Sequence, residues 1–381
     1  VVSAYQRVVT EDPGFGLAYA QLTLFQARMY WFGYLDPTPT RRVLAEAAMN
    51  AAVRIAPDAP ETHYARGAFE YFCNNDWARA LANYRRAEIG LPNDASLQGI
   101  IGYSHRRLGN LHETTVRHLE RSVALNPRNL YDGMELAVFQ SELRRFETAR
   151  QQAGRFVALY PSNSFARESL IRSEFSLYGD RVAFLAALAT VPPSGRDPLG
   201  LRNEYERSML AHDFAAAERT LSDPRLTVIV DRSGIITDPV ALHRAMVAFL
   251  QGKFETAQRF AAAALEEYDR RNWTPRQRPV VMLGIAEAKA FAGRTEEAVR
   301  EMQAALALAR NLDAYLSRFA LVEAGRMYAV IGRREEAMAA LRDLMNGVSR
   351  LSPNEIRLDP LWSRLKGDPR FEEILKSAKA L

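Results

Sequence analysis

The chain has 381 residues, with 50 Lys and Arg against 45 Asp and Glu, a formal net charge of +5. The two signs are interleaved rather than gathered into a stripe, which argues against a direct nucleic-acid surface. No apolar run reaches the roughly 18 residues that a membrane-spanning helix needs, and the single cysteine, Cys73, excludes an intramolecular disulfide.

Residues 1–11 read as the second helix of a repeat whose first helix is missing, so the sequence reads as part of a longer chain. Four prolines then set a period: Pro57, Pro92, Pro127 and Pro161, spaced by 35, 35 and 34 residues. Each closes a helix, because proline lacks an amide donor and its ring clashes with the preceding turn. A fixed period of this size marks a repeat protein.

Short turn signals confirm the period, at Asn75-Asp76, Asn110-Leu111, Arg144-Arg145, Gly179-Asp180, His212-Asp213, Gly252-Lys253, Gly293-Arg294 and Gly332-Arg333. Five residues after most of them stands a small side chain: Ala80, Thr115, Ala149, Ala217, Ala257, Ala298 and Ala337. Phe184 breaks that rule. In the second helix of several units a small, a bulky and a small residue follow at offsets of 0, 4 and 7, as in Ala80, Tyr84, Ala87 and Thr115, Leu119, Ser122. Those offsets share one helical face, which predicts an interdigitating stripe between stacked helices.

Three stretches depart from the ruler. The aromatic segment Trp31-Phe32-Gly33-Tyr34 lengthens the first full unit, and reads either as an exposed contact loop or as a cover over the first helix. Residues 190–240 are weakly periodic. There Leu226–Val230 and Ile235-Ile236 suit either a hairpin or an irregular connection whose apolar residues plug the core, and the irregular connection is the expectation. In the tail, Asp359 and Asp368 each precede a proline, which predicts two short capped helices.

The phrase Gly67, Asn75-Asp76-Trp77, Ala80, Tyr84, Ala87, Pro92, repeated as Gly325, Gly332-Arg333, Ala337, Leu341, resembles the tetratricopeptide repeat family. The resemblance extends over nearly all of 1–345. It implies an all-α, right-handed superhelical solenoid of helix-turn-helix repeats: nine pairs after the N-terminal half unit, closed by a C-terminal capping segment. The organisation expected is a solenoid with 34–35-residue repeats over 1–189, an irregular connection over 190–240, repeats of about 40 residues over 241–351, and capping helices over 352–381. The longer units and the tail are similar to the C-terminal repeat regions of bacterial signalling and transcriptional regulators.

Chemistry-bearing motifs are sparse. The six histidines show no metal-binding spacing and read as structural or solvated. No phosphate loop or nucleophile elbow appears, and Cys73 among aromatics reads as an inert thiol. The expectation is a non-enzymatic chain without cofactor or metal. The resemblance implies that the first helix of each unit lines a groove. Tyr64, Tyr71, Phe72, Tyr103, Arg106 and Arg107 are then the candidate partner-binding residues, and Trp31, Phe32 and Tyr34 the candidate aromatic loop. Aromatic faces beside guanidinium groups suit peptide backbones and carboxylates; the competing reading packs Tyr64 and Tyr71 into the core. The expected role is a protein- or peptide-binding scaffold in a larger bacterial regulator. The alternative is a small-effector-sensing, self-associating domain in which the effector enters the 190–240 region.

Overall fold

The computed structural model describes residues 1–381 apart from 33, 34, 110, 111, 196, 198 and 231–234. Tyr34 and the Asn110-Leu111 turn therefore lie outside the described residues. After α1 (Val2–Glu11), nine helical hairpins follow among the described residues. They are α2 (Gly16–Trp31) with α3 (Pro39–Ile55), α4 (Pro60–Phe69) with α5 (Trp77–Gly90), and α6 (Ala95–Leu108) with α7 (His112–Leu125). Next come α8 (Leu130–Glu142) with α9 (Phe146–Leu159), α10 (Ser164–Tyr178) with α11 (Arg181–Leu188), and α12 (Leu201–Ala211) with α13 (Phe214–Leu221). The last three are α14 (Val240–Leu250) with α15 (Phe254–Asp269), α16 (Arg278–Phe291) with α17 (Thr295–Leu312), and α18 (Ala314–Val330) with α19 (Arg334–Asn346). The fold is an all-α helical-repeat solenoid.

The turns obey the sequence ruler. Asn75, Arg144, Gly179, His212, Gly252, Gly293 and Gly332 all take positive φ, between 56° and 81°, which ends one helix and aims the next. Three of these are not glycine. At Arg144 the guanidinium donates from Nη1 to the Gly347 carbonyl at 2.8 Å, a contact that offsets the left-handed backbone. Asp76, Asp180 and Asp213, one residue after such a turn, accept the N-cap hydrogen bond of the following helix.

Packing divides the chain into two compact units: 1–133 with Asp313–Tyr315, and 134–312 with 316–381. The division falls inside α8. In the first unit the stripe Ala80, Tyr84, Ala87 and its counterpart Thr115, Leu119, Ser122 are wholly inaccessible. Gly67 on α4 faces this stripe, and a Cβ there would stand 2.5 Å from the Tyr84 ring. Between Gly67 and Ala80 the helix passes through a π turn, Glu70–Asn74, one residue wider than an α turn.

In the second unit the stripes Ala257, Ala261, Ala264 and Ala298, Met302, Ala305 are equally buried, as are Ala337, Leu341 and Leu344. At the exceptional position Phe184 stacks on Phe175 with ring centroids 4.1 Å apart, filling the space that alanine leaves elsewhere. The 222–238 region corrects the irregular-connection expectation. β1 (Val228–Val230) pairs antiparallel with β2 (Thr237–Pro239), Ile229 opposite Asp238. The β-branched run Val228-Ile229-Val230 favours an extended ladder, while Ile229, Ile235 and Ile236 still enter the core. Asp359 and Asp368 cap a 3₁₀ turn (Pro360–Leu365) and α20 (Pro369–Ser377), and Ser352 opens the preceding helical turn, 353–358, with a capping box.

Alanine normally stabilises a helix interior relative to glycine by about 1 kcal/mol. Gly67→Ala should invert that sign and destabilise by roughly 1–3 kcal/mol, because the Tyr84 ring has no room to retreat. A urea titration followed by circular dichroism measures it, and a stabilised variant would refute the interlock.

Candidate functional site

The predicted groove residues separate into a buried set and a half-exposed set. Tyr64, 6% exposed, packs edge-on against Tyr84 with centroids 5.8 Å apart, and burial pushes both phenols above their ordinary range. Tyr71 and Phe72 lie in the core of the first unit with Trp77. The reason is the π turn, which carries Tyr71, Phe72 and Cys73 all inward. Cys73 is buried there, and desolvation pushes its thiol up to about 12, so it is inert toward ordinary oxidants and electrophiles.

The aromatic segment joins the same cluster. Trp31 at the end of α2 stands 5.4 Å from Tyr71, 5.5 Å from Phe72 and 5.9 Å from Trp77, centroid to centroid. Phe32 follows it as the half-buried C-cap. Trp31 thus packs against the first unit's own repeats. Arg107 lies over this cluster, 5.4 Å from the Trp31 ring and 4.6 Å from Tyr315, and donates to Asp313 Oδ2 at 3.1 Å. Asp313 has no exposed side-chain surface; burial opposes the Arg107 charge, but Asp313 together with Tyr71 and Tyr315 holds the guanidinium above its ordinary range. Tyr103 and Arg106 are the half-exposed pair. Tyr103 donates its hydroxyl to Asp132, which also accepts from Ser122 at 2.6 Å, and Arg106 covers the Tyr315 ring at 4.8 Å.

A histidine pair lies on α6 and α7. His105 and His118 stack with centroids 5.9 Å apart, and His118 Nδ1 meets Gln98 Oε1 at 2.8 Å. Desolvation, followed by the positive charge of Arg85, lowers His118 from 6.5 to about 4 and lowers His105 as well.

The second unit holds a cleft that no sequence motif announced. It offers about 80 Å³, well below the roughly 300–1,000 Å³ of a drug-sized pocket. Tyr205, Met209, Met246, Leu283 and Phe319 supply its apolar wall. Its polar lining comprises Arg202, Glu206, Asp238, His243, Glu287, Glu323, Arg326 and Asp359. Arg326, 1% exposed, donates to Asp359 at 2.7 Å and to Glu323 at 2.6 Å, so its charge is fully answered from within. The available signal was the pair Glu323 and Arg326, set in an otherwise apolar helix where charges are tolerated only when paired. Among the described residues no group of three or more metal-ligating side chains converges, and no helix is long and apolar enough to cross a membrane.

Arg107→Leu should destabilise the chain by about 3–5 kcal/mol, because Asp313 would keep a buried charge without its partner. Chemical denaturation tests this, and a change below about 1 kcal/mol would place Arg107 on the surface instead. Lowered histidines predict a pH effect of definite sign. The unfolded chain takes up protons near 6.5 while folded His118 resists until about 4, so stability falls as pH drops through that window and levels off below it. His118→Gln should flatten the midpoint-versus-pH curve between pH 7 and 4; an unchanged slope would contradict the assignment.

No family model matches the chain, and no curated protein matches it in sequence. Among solved structures it is similar to yeast Tom70, at 10% identity and a TM-score of 0.45, covering 99% of this chain and 88% of that one. It is similar to a chain of the APC/C Cut9–Hcn1 hetero-tetramer at 13% identity and a TM-score of 0.43, over 95% of this chain and 62% of that one. A tetratricopeptide repeat protein from Parabacteroides merdae ATCC 43184 aligns at 12% identity and a TM-score of 0.34, over 84% and 98% of the two chains. The chain thus spans less than two thirds of the Cut9–Hcn1 chain, and identities this low concern fold alone. The glycine, turn, alanine, bulky, alanine register, carried through successive helical hairpins, gives this chain an all-α helical-repeat fold of the tetratricopeptide kind.

Proposed function

We propose that the chain is a protein- or peptide-binding scaffold, the partner-recognition part of a larger regulatory protein. One observation supports this most directly: on α6, Tyr103 and Arg106 stay half-exposed while their neighbours Ile101 and Gly102 are buried. A guanidinium braced on the Tyr315 ring, one helical turn from a tyrosine fixed by Asp132, is a rigid pair suited to a peptide carboxylate. Because neither side chain has to be ordered on binding, little rotamer entropy opposes capture. Tyr64, Tyr71, Phe72 and Arg107 serve this reading as the support beneath the surface, not as the surface.

The test is binding of an array of acidic peptides to the intact chain and to Arg106→Glu. Charge reversal at this half-exposed position should weaken acidic-peptide binding at least about tenfold with helicity retained. Equal binding by both proteins, or no peptide bound by either, would sink the assignment.

A second reading has its own supporting observation. The cleft draws Arg202, Tyr205, Glu206, Ile229 and Asp238 from the weakly periodic 190–240 region, which suits a domain that senses a small effector and changes its self-association. Sedimentation with and without the effector separates the two readings.

A further inference from the structure

The cleft has a charge balance that selects its ligand. Of its ionisable lining, five residues are carboxylic acids and two are arginines. Both guanidinium groups already face carboxylates: Arg326 between Glu323 and Asp359, and Arg202 toward Glu206 at 3.5 Å, which also takes Arg172 at 2.8 Å. An anion entering here would meet carboxylate excess in a partly desolvated space, where repulsion is poorly screened.

Asp238 and His243 present the opposite opportunity. Tyr268 donates its hydroxyl to Asp238 Oδ1 at 2.6 Å and fixes the carboxylate. That hydroxyl has room only because residue 284 is glycine, where a Cβ would lie 2.1 Å from it. The other oxygen, Oδ2, stands 3.6 Å from His243 Nε2, beyond hydrogen-bonding distance. Nε2 is itself buried and has no hydrogen-bond partner among the described residues. His243 Nδ1 meets the Tyr205 hydroxyl at 3.2 Å, and that hydroxyl reaches Met246 Sδ at 3.8 Å. In the tautomer whose Nδ1–H donates to Tyr205, with Tyr205 donating on to sulfur, the Nε2 lone pair faces the Asp238 carboxylate, and an N–H donor placed between them selects that tautomer. Two acceptors 3.6 Å apart, one of them anionic, suit a group with several N–H donors and a positive charge.

We propose that this cleft binds a small primary amine, its ammonium bridging Asp238 Oδ2 and His243 Nε2 and its short apolar body lying against Tyr205, Met246 and Leu283. The proposal rests on the effector-sensing reading and adds the ligand class to it. Five carboxylates select the charge, the Asp238–His243 pair selects an N–H donor, and the 80 Å³ volume limits the body to a few carbon atoms.

The experiment titrates the intact chain, labelled with ¹³C at its methionine methyls, with n-butylamine, n-butanol and butyrate at pH 7.5 and matched ionic strength. The Met246 and Met209 signals should shift saturably with n-butylamine, at least about tenfold more weakly with n-butanol, and not with butyrate. Asp238→Asn and His243→Phe should each weaken n-butylamine binding at least tenfold. His243→Phe leaves the Tyr268 contact intact, so it decides the matter if Asp238→Asn unfolds, and unchanged affinity in it overturns the proposal. Equal response to n-butanol or butyrate would overturn the amine assignment while leaving a ligand-binding cleft. No response to any of the three would overturn both.

Discussion

Alanine at the two ends of a helical stripe and a bulky residue between them is the constraint on which this structure depends. In Ala80, Tyr84, Ala87 the small ends let neighbouring helices approach, and the ring fills the hollow made by Gly67 on the partner helix. The same geometry returns as Ala298, Met302, Ala305, while Ala337, Leu341, Leu344 keeps the burial with a bulky residue at its far end. A hairpin cannot bury such a stripe alone, so each repeat is stable only through its neighbours. The left-handed turn residues exist to keep this spacing, which is why even Arg144 and His212 adopt a backbone that favours glycine.

Departures from the ruler fall where the two chemically distinctive regions lie. The π turn after α4 inserts one residue and swings Tyr71, Phe72 and Cys73 inward, where they meet Trp31 and Arg107. The 222–238 region inserts two short strands between α13 and α14 and brings Asp238 against Tyr268 and His243.

Much of the fold was legible. The first residue of each described turn that the ruler marked has positive φ, and the stripes Ala80, Tyr84, Ala87 and Thr115, Leu119, Ser122 are wholly buried. The candidate site was legible only in part. Tyr103 and Arg106 lie on the accessible side of α6, yet Tyr71 and Arg107, of the same residue types and similar placement, are consumed by the aromatic cluster. No local pattern distinguishes them, since the deciding partners, Trp31 and Asp313, lie about 40 and 206 residues away.

The order of the residues by itself determined the period, the hairpin, the capped turns and the buried stripes, because each depends on neighbours within about one helical repeat. Tertiary structure decided which aromatic and charged side chains became core, how Arg107 and Arg326 are neutralised, and that Asp238 and His243 face each other across a cleft. The partners Arg107 and Asp313, Arg326 and Asp359, and Asp238 and Tyr268 lie 30 residues or more apart in the chain, and burial then sets whether a charge must be paired or is left for a ligand.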